Sequence, residues 1–215
     1  MSTITLSPVA TQVANLLLEI EAIRLSPKQP FTWASGWKSP IYCDNRLSLS
    51  FPKVRTYIKE QLAEVIRQHF PEAEAIAGVA TAGIPQGALV AEALGLPFLY
   101  VRSKPKGHGM ENLIEGKVTP GQKVVVLEDL ISTGGSSLKA VEALRAAEVN
   151  PLGMAAIFTY GFPVATQNFE AANLPLVVLS DYETMLEGAI TTGQVEESMR
   201  SLLSEWRQAP EAWQG

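Results

Sequence analysis

Two adjacent acids, Glu128 and Asp129, directly follow the apolar run Val124-Val125-Val126-Leu127, and Thr133-Gly134-Gly135-Ser136 stand a few positions further on. The apolar run reads as a buried strand. The Ser/Thr/Gly stretch reads as a loop feeding a helix that begins near Ser136. The free backbone N–H groups at such a helix start attract phosphate. Adjacent carboxylates at a strand's C-terminal end can hold sugar hydroxyls or a hydrated Mg²⁺. Each feature has a plainer reading, as a solvated strand end or as a turn with a helix cap. In this order within one segment, they offer sites for a phosphate, a ribose and a metal, a combination that suggests a phosphoribosyl compound as the ligand.

A second cluster, Arg102-Ser103-Lys104-Pro105-Lys106-Gly107-His108-Gly109, packs three cations and one of the two histidines into eight residues of an acidic chain. As a solvated hairpin tip it would need no such concentration of charge. A loop with glycines at 107 and 109 can move and approach a ligand closely. Cations carried on it suit closure over pyrophosphate, where exclusion of water strengthens each charge contact and protects a reactive sugar phosphate. Ala80-Thr81-Ala82-Gly83-Ile84-Pro85, between a strand and a helix, suits a pyrophosphate-binding turn made of backbone amides; the plain alternative is an ordinary strand-to-helix connection.

These segments need a scaffold. Ser7-Pro8 predicts a helix start, with Val13, Leu17 and Ile20 continuing at helical spacing to about Leu25. Residues 31–46 read as extended and turn-rich. Pro52 opens a helix to about His69, with Val54, Ile58, Leu62, Val65 and Ile66 on its apolar side. Strands are predicted over 75–79, 98–101, 123–128, 152–159 and 176–179, and helices over 85–94, 136–147 and 163–172. Residues 103–119 read as a long loop, and 195–206 as an amphipathic helix that packs on the domain or on a partner. The last residues, from Gln208, read as a mobile tail. Alternating strands and helices imply a mostly parallel sheet covered on both faces, with ligands outside the C-terminal strand ends. Both the acid pair and the loop after Val79 fall there.

With 215 residues and 47% hydrophobic content, the chain can bury one substantial core. Its net charge of −5 and pI of about 5.2 give no electrostatic footprint for general nucleic-acid binding. Cys43, the single cysteine, permits no intrachain disulfide, which points to a reducing cytoplasm. No apolar stretch reaches the roughly 20 residues that span a bilayer, so no membrane role is expected.

The run from Glu128 to Ser136 resembles the PRPP-binding signature of type I phosphoribosyltransferases. The basic loop, followed by Asn112-Leu113-Ile114-Glu115-Gly116, resembles the catalytic loop of the orotate phosphoribosyltransferase family. So does the segment from Phe31 to Arg46, with its Ser-Gly-x-x-Ser-Pro-x-Tyr pattern at Ser35 to Tyr42. The resemblance spans about residues 10–200. It implies a single domain over 1–215 with the type I phosphoribosyltransferase fold: a mostly parallel twisted sheet flanked by helices. A small N-terminal hood would come from about residues 1–50 with C-terminal elements, and the core from about 51–180.

The activity implied is transfer of the phosphoribosyl group from PRPP to orotate in pyrimidine synthesis. Glu128, Asp129, Leu130, Ile131, Ser132, Thr133, Gly134, Gly135 and Ser136 would bind PRPP, the last four cradling its 5′-phosphate. Arg102, Lys106 and His108 would neutralise pyrophosphate and, with Asp129, form the catalytic set. Ser132, Ser35, Gly36, Lys38 and Tyr42 would meet orotate. Mg²⁺ would be held mainly through PRPP, with Glu128 and Asp129 reaching it through water. A homodimer is implied, the basic loop being shared between subunits. Some relatives carry lysines where this chain has Ala34, Ala82 and Ser103, and an arginine near Tyr160; fewer cations would leave more of the pyrophosphate to Mg²⁺ and backbone amides, with Lys104 replacing one lost lysine. The competing readings are a phosphoribosyltransferase for another base, and a regulator that senses PRPP or a nucleotide without turnover.

Overall fold

The structure, a computed structural model, describes residues 4–5, 7–104 and 113–213. In chain order the elements are β1 (Ile4–Thr5), α1 (Ser7–Glu19), β2 (Ile23–Leu25), β3 (Phe31–Thr32), β4 (Lys38–Ser39) and β5 (Ile41–Cys43). A 3-10 helix (Asn45–Ser50) leads into α2 (Pro52–His69), β6 (Ala75–Val79), α3 (Gly83–Leu94), β7 (Phe98–Val101) and β8 (Ile114–Glu115). Then come β9 (Lys123–Ile131), α4 (Gly135–Ala146), β10 (Asn150–Thr159), α5 (Pro163–Ala171), β11 (Leu176–Asp181) and α6 (Tyr182–Thr191). A short 3-10 turn (Glu197–Met199) precedes α7 (Arg200–Gln208).

The main sheet has the order β1-β11-β10-β9-β6-β7-β8, parallel except for β8. Its central strands are buried on both faces, as parallel strands between two helical layers must be. Side chains alternate between two cores. Val125 and Leu127 of β9 join the core with α1, α2 and α6, whereas Val124 and Val126 join the one with α4 and α5. From β6 the chain moves outward to β7 on one side. From β9 it moves to β10 and β11 on the other. The strand order therefore reverses between β6 and β9, which opens a crevice at their C-terminal ends.

Most predicted elements are present, with instructive differences. The first helix stops at Glu19, where Glu21 turns to φ +56°, and Ile23 to Leu25 form a strand paired with β5. β9 runs three residues beyond its expected end at Glu128, because β10 keeps pairing with it as far as Ile131↔Thr159. Two-residue β8 interrupts the loop expected over 103–119. Helix α6, not expected, is capped by Asp181, whose Oδ1 accepts the Thr184 N–H at 2.9 Å. Within the expected tail, Pro210 is buried and Trp213 packs against the core, and residues 214–215 lie outside the described residues.

The amphipathic C-terminal helix docks on the hood. Trp206 of α7 is fully buried among Trp33, Tyr160, Phe162 and Tyr182, with ring centroids 5.4–5.8 Å away. Its indole N–H donates to the Lys38 carbonyl at 3.2 Å, pinning the β3–β4 hairpin. Truncation to Ala should cost about 3–5 kcal/mol, read as a lower urea midpoint. Trp206→Phe, which keeps an aromatic ring but not the N–H, should lose less.

Candidate active site

The crevice between β6 and β9 is shaped by close backbone approach. A Cβ on Gly83 would lie 2.5 Å from the Leu127 carbonyl oxygen, and one on Gly78 would lie 2.7 Å from the Gly83 oxygen. The start of α3 thus sits directly on β9. Pairing between β6 and β9 ends there, at Gly78↔Leu127. Beyond Leu127 the strand has a partner only on its β10 side.

The acid pair lies in that one-sided stretch. Glu128 is 6% exposed; its Oε2 accepts the Ser137 hydroxyl of α4 at 3.0 Å, and its Oε1 accepts the Asp129 N–H at 3.1 Å. The two carboxyls lie within hydrogen-bonding reach of each other. Burial, and then the neighbouring Asp129 charge, hold the Glu128 carboxyl well above the usual carboxylate range. Burial also raises Asp129, opposed by its bond to Glu128 and by the charge of Arg46. Arg46 is itself clamped on Asp44, with bonds of 2.7 and 2.9 Å. A desolvated acid pair with both carboxyls raised is the kind of arrangement that marks a candidate functional site.

Next to the pair, Ser132 to Ser136 make the turn into α4. Gly134 sits at φ +80°, and a Cβ there would come within 2.8 Å of the Phe169 ring. Glycine is required on both counts. The first N–H groups of α4 lack intrahelical partners, as at any helix start, and no side chain caps them; Gly135 and Ser136 are exposed. Asn168 of α5 steadies the turn by donating to the Thr133 carbonyl at 2.9 Å. Leu130 is half-buried and Ile131 fully buried, so the Ile131 side chain belongs to the framework. Its carbonyl accepts from the Thr159 hydroxyl at 3.1 Å.

Arg102, at the end of β7, lines an open cleft of about 860 Å³ together with Ala80, Ser103, Gly135, Ser136 and Lys139. The structure therefore brings the first residue of the basic loop, Ala80 directly after β6 and the α4 N-terminus to one groove. Arg102 pairs with Glu115 at 3.3 Å. Lys106 and His108 lie outside the described residues. Ser35 and Gly36 form the exposed tip of the β3–β4 hairpin, with Gly36 at φ +89°. Lys38 donates to Thr32 Oγ1 at 2.9 Å. Tyr42, 37% exposed, lies under the Arg24 guanidinium at 5.2 Å. Sequence reading did not assign Asn45, Arg46 or Ser137 to this site. Asn45 and Arg46 close the Phe31 to Arg46 segment, three and four positions beyond the Ser35 to Tyr42 pattern, which was the available signal.

The phosphoribosyl transferase domain family matches residues 49–179. Over 201 residues, 94% of the chain, it is 59% identical to orotate phosphoribosyltransferase of Porphyromonas gingivalis, of which 96% is covered. The chain belongs to the orotate phosphoribosyltransferase family. The Bacillus pumilus member is 57% identical over 94% of the chain and 97% of its own length. The solved structure of orotate phosphoribosyltransferase from Aeropyrum pernix superposes with a TM-score of 0.75 at 30% identity, covering 85% of the chain and 99% of that protein. The family fold is thus the one built here.

The raised Glu128 carboxyl has a stability consequence. The folded state holds its proton more tightly than the unfolded chain, so stability falls as pH rises from the ordinary carboxylate range through the raised value. Glu128→Gln should therefore stabilise the free protein at pH 8 by about 0.5–2 kcal/mol. The gain should vanish near pH 4, as followed by thermal unfolding at the two pH values.

Proposed function

We propose that this chain transfers the 5-phosphoribosyl group of PRPP to orotate, giving orotidine 5′-monophosphate and pyrophosphate, a step in pyrimidine biosynthesis. The observation that carries the reading is the acid pair at the β6–β9 switch point, beside an uncapped helix start. That geometry accepts a ribose next to its own 5′-phosphate.

In the reaction a ring nitrogen of orotate attacks C1′ as the bond from C1′ to the pyrophosphate oxygen breaks, and positive character develops on the sugar. Asp129 and Glu128 face the ribose hydroxyls and stabilise that character. The N–H groups at the start of α4, with Thr133 and Ser136, hold the 5′-phosphate. Arg102 and the loop residues Lys106 and His108 take up the charge of the leaving pyrophosphate, His108 by donating a proton or a hydrogen bond. Ser132 and the hairpin residues Ser35, Gly36 and Lys38, with Tyr42, receive orotate.

Mg²⁺ fits this donor set as an ion held chiefly by substrate oxygens. Among the described residues no group of three His, Cys, Asp or Glu side chains could hold a metal, and a two-carboxylate site suits an ion that keeps several waters. Glu128 and Asp129 would hold it through water; when bound it supplies charge neutralisation of pyrophosphate. The working unit in this reading is a homodimer in the cytoplasm, with the basic loop closing over the neighbouring site. Exposed Leu47 and Phe51, 41–42% accessible, offer apolar surface for a second copy. No helix among the described residues is long and apolar enough to cross a membrane.

The test is to supply PRPP with orotate, uracil, adenine or xanthine, with and without Mg²⁺, and follow pyrophosphate release. Turnover is expected with orotate and Mg²⁺, and purine turnover without orotate would overturn the assignment. Asp129→Asn should fold and lower kcat by about 10²–10³-fold.

A further inference from the structure

The sheet leaves Asp129 without a strand partner on its β6 side. β9 is paired with β6 only to Leu127 and with β10 to Ile131. Asp129 instead satisfies its main chain with side chains. Its N–H goes to Glu128 Oε1, and its carbonyl accepts from Asn45 Nδ2 at 2.7 Å. Asn45 is 1% exposed. Its amide has one sensible orientation, because a carbonyl can only accept. The Asn45 Oδ1 in turn faces the Cys43 thiol at 3.4 Å.

The polar chain continues backwards. The Asn45 carbonyl accepts the Ser48 hydroxyl at 2.6 Å, and Ser48 Oγ accepts from Gln86 Nε2 at 3.2 Å. Ser48 and Gln86 are buried, and Gln86 sits in the first turn of α3, just behind the 80–83 turn. One buried hydrogen-bonded path thus joins the hood, the acid pair and the start of α3. A buried polar path of this kind fixes a single arrangement of the loops it joins. Removing its donor leaves a buried carbonyl unsatisfied.

We propose that Asn45 is a positioning residue for phosphoribosyl transfer: by holding the Asp129 main chain where the sheet no longer does, it aims the Asp129 carboxylate and ties the hood to the ribose side of the site. The inference rests on the reading that Asp129 meets the ribose. Asn45 itself touches no substrate in this scheme. Loss of its amide frees the Asp129 peptide to rotate, so the defect falls on PRPP and not on the base.

The experiment compares wild type, Asn45→Ala and Asn45→Asp by steady-state kinetics in both substrates, each below its own melting temperature. Asn45→Asp keeps the shape of the side chain while its carboxylate cannot donate. Both variants should lose about 10- to 100-fold in kcat/KM for PRPP, with KM for orotate within about twofold of wild type. Ser48→Ala, one bond back along the path, is the milder variant should either fail to fold, and should show the same split at about threefold. Equal kinetics per folded molecule in the variants and the wild type would overturn the proposal, as would a parallel rise in both KM values, the mark of a structural role alone. Absence of any turnover of PRPP and orotate by the wild type would instead sink the functional reading beneath it.

Discussion

The site depends on a mismatch in strand pairing. β9 pairs with β10 to Ile131 but with β6 only to Leu127, because Gly83, at the start of α3, rests against the Leu127 carbonyl. Had β6 continued, Glu128 and Asp129 would be ordinary residues of a closed sheet with no room before them. Because it stops, the last part of β9 is rigid on one side and open on the other. The acids stand on a strand, which places them accurately, in the stretch where it is paired on one side alone. Glycine at 78 and 83 is the sequence cause of that arrangement.

The open side has an energetic cost. Main-chain groups that would have met β6 need other partners, and Glu128 and Asn45 supply them for Asp129. Two carboxyls are brought together in a place short of water, and both resist ionisation. A chain selected for stability alone would put a neutral side chain at position 128. Retaining the charge makes sense where a ligand's hydroxyls and a metal's water shell replace the missing solvent, so the free protein is least stable at the point where the bound one gains most. The surrounding structure compensates by burying large aromatic side chains around Trp206 and by packing both faces of the sheet.

What the sequence made legible was local. The acid pair, the Gly134 turn and the loop after Val79 each lie within about ten consecutive residues, and their order along the chain already implies a strand, a turn and a helix. The two-layer α/β plan follows from alternating periodicities. What stayed hidden depended on contacts between distant residues. Asn45 meets Asp129 across 84 positions and Trp206 meets Lys38 across 168, and no spacing rule reports such pairs. Helix α6 had its signals, Asp181 as a cap and Met185, Leu186 and Ala189 at helical spacing, but Gly188 and the threonines after it blurred the pattern. The two-residue hood strands fall below any periodicity.

The central claim is that the turn through Gly134 receives the 5′-phosphate of a ribosyl ligand while the rest of the crevice receives pyrophosphate. Calorimetric titration of wild type and Gly134→Ala with PRPP, ribose 5-phosphate and pyrophosphate tests it most directly. The account predicts that the substitution weakens PRPP and ribose 5-phosphate by a similar factor, about tenfold or more, and leaves pyrophosphate binding unchanged. Equal weakening of pyrophosphate, or undiminished binding of ribose 5-phosphate, would contradict it.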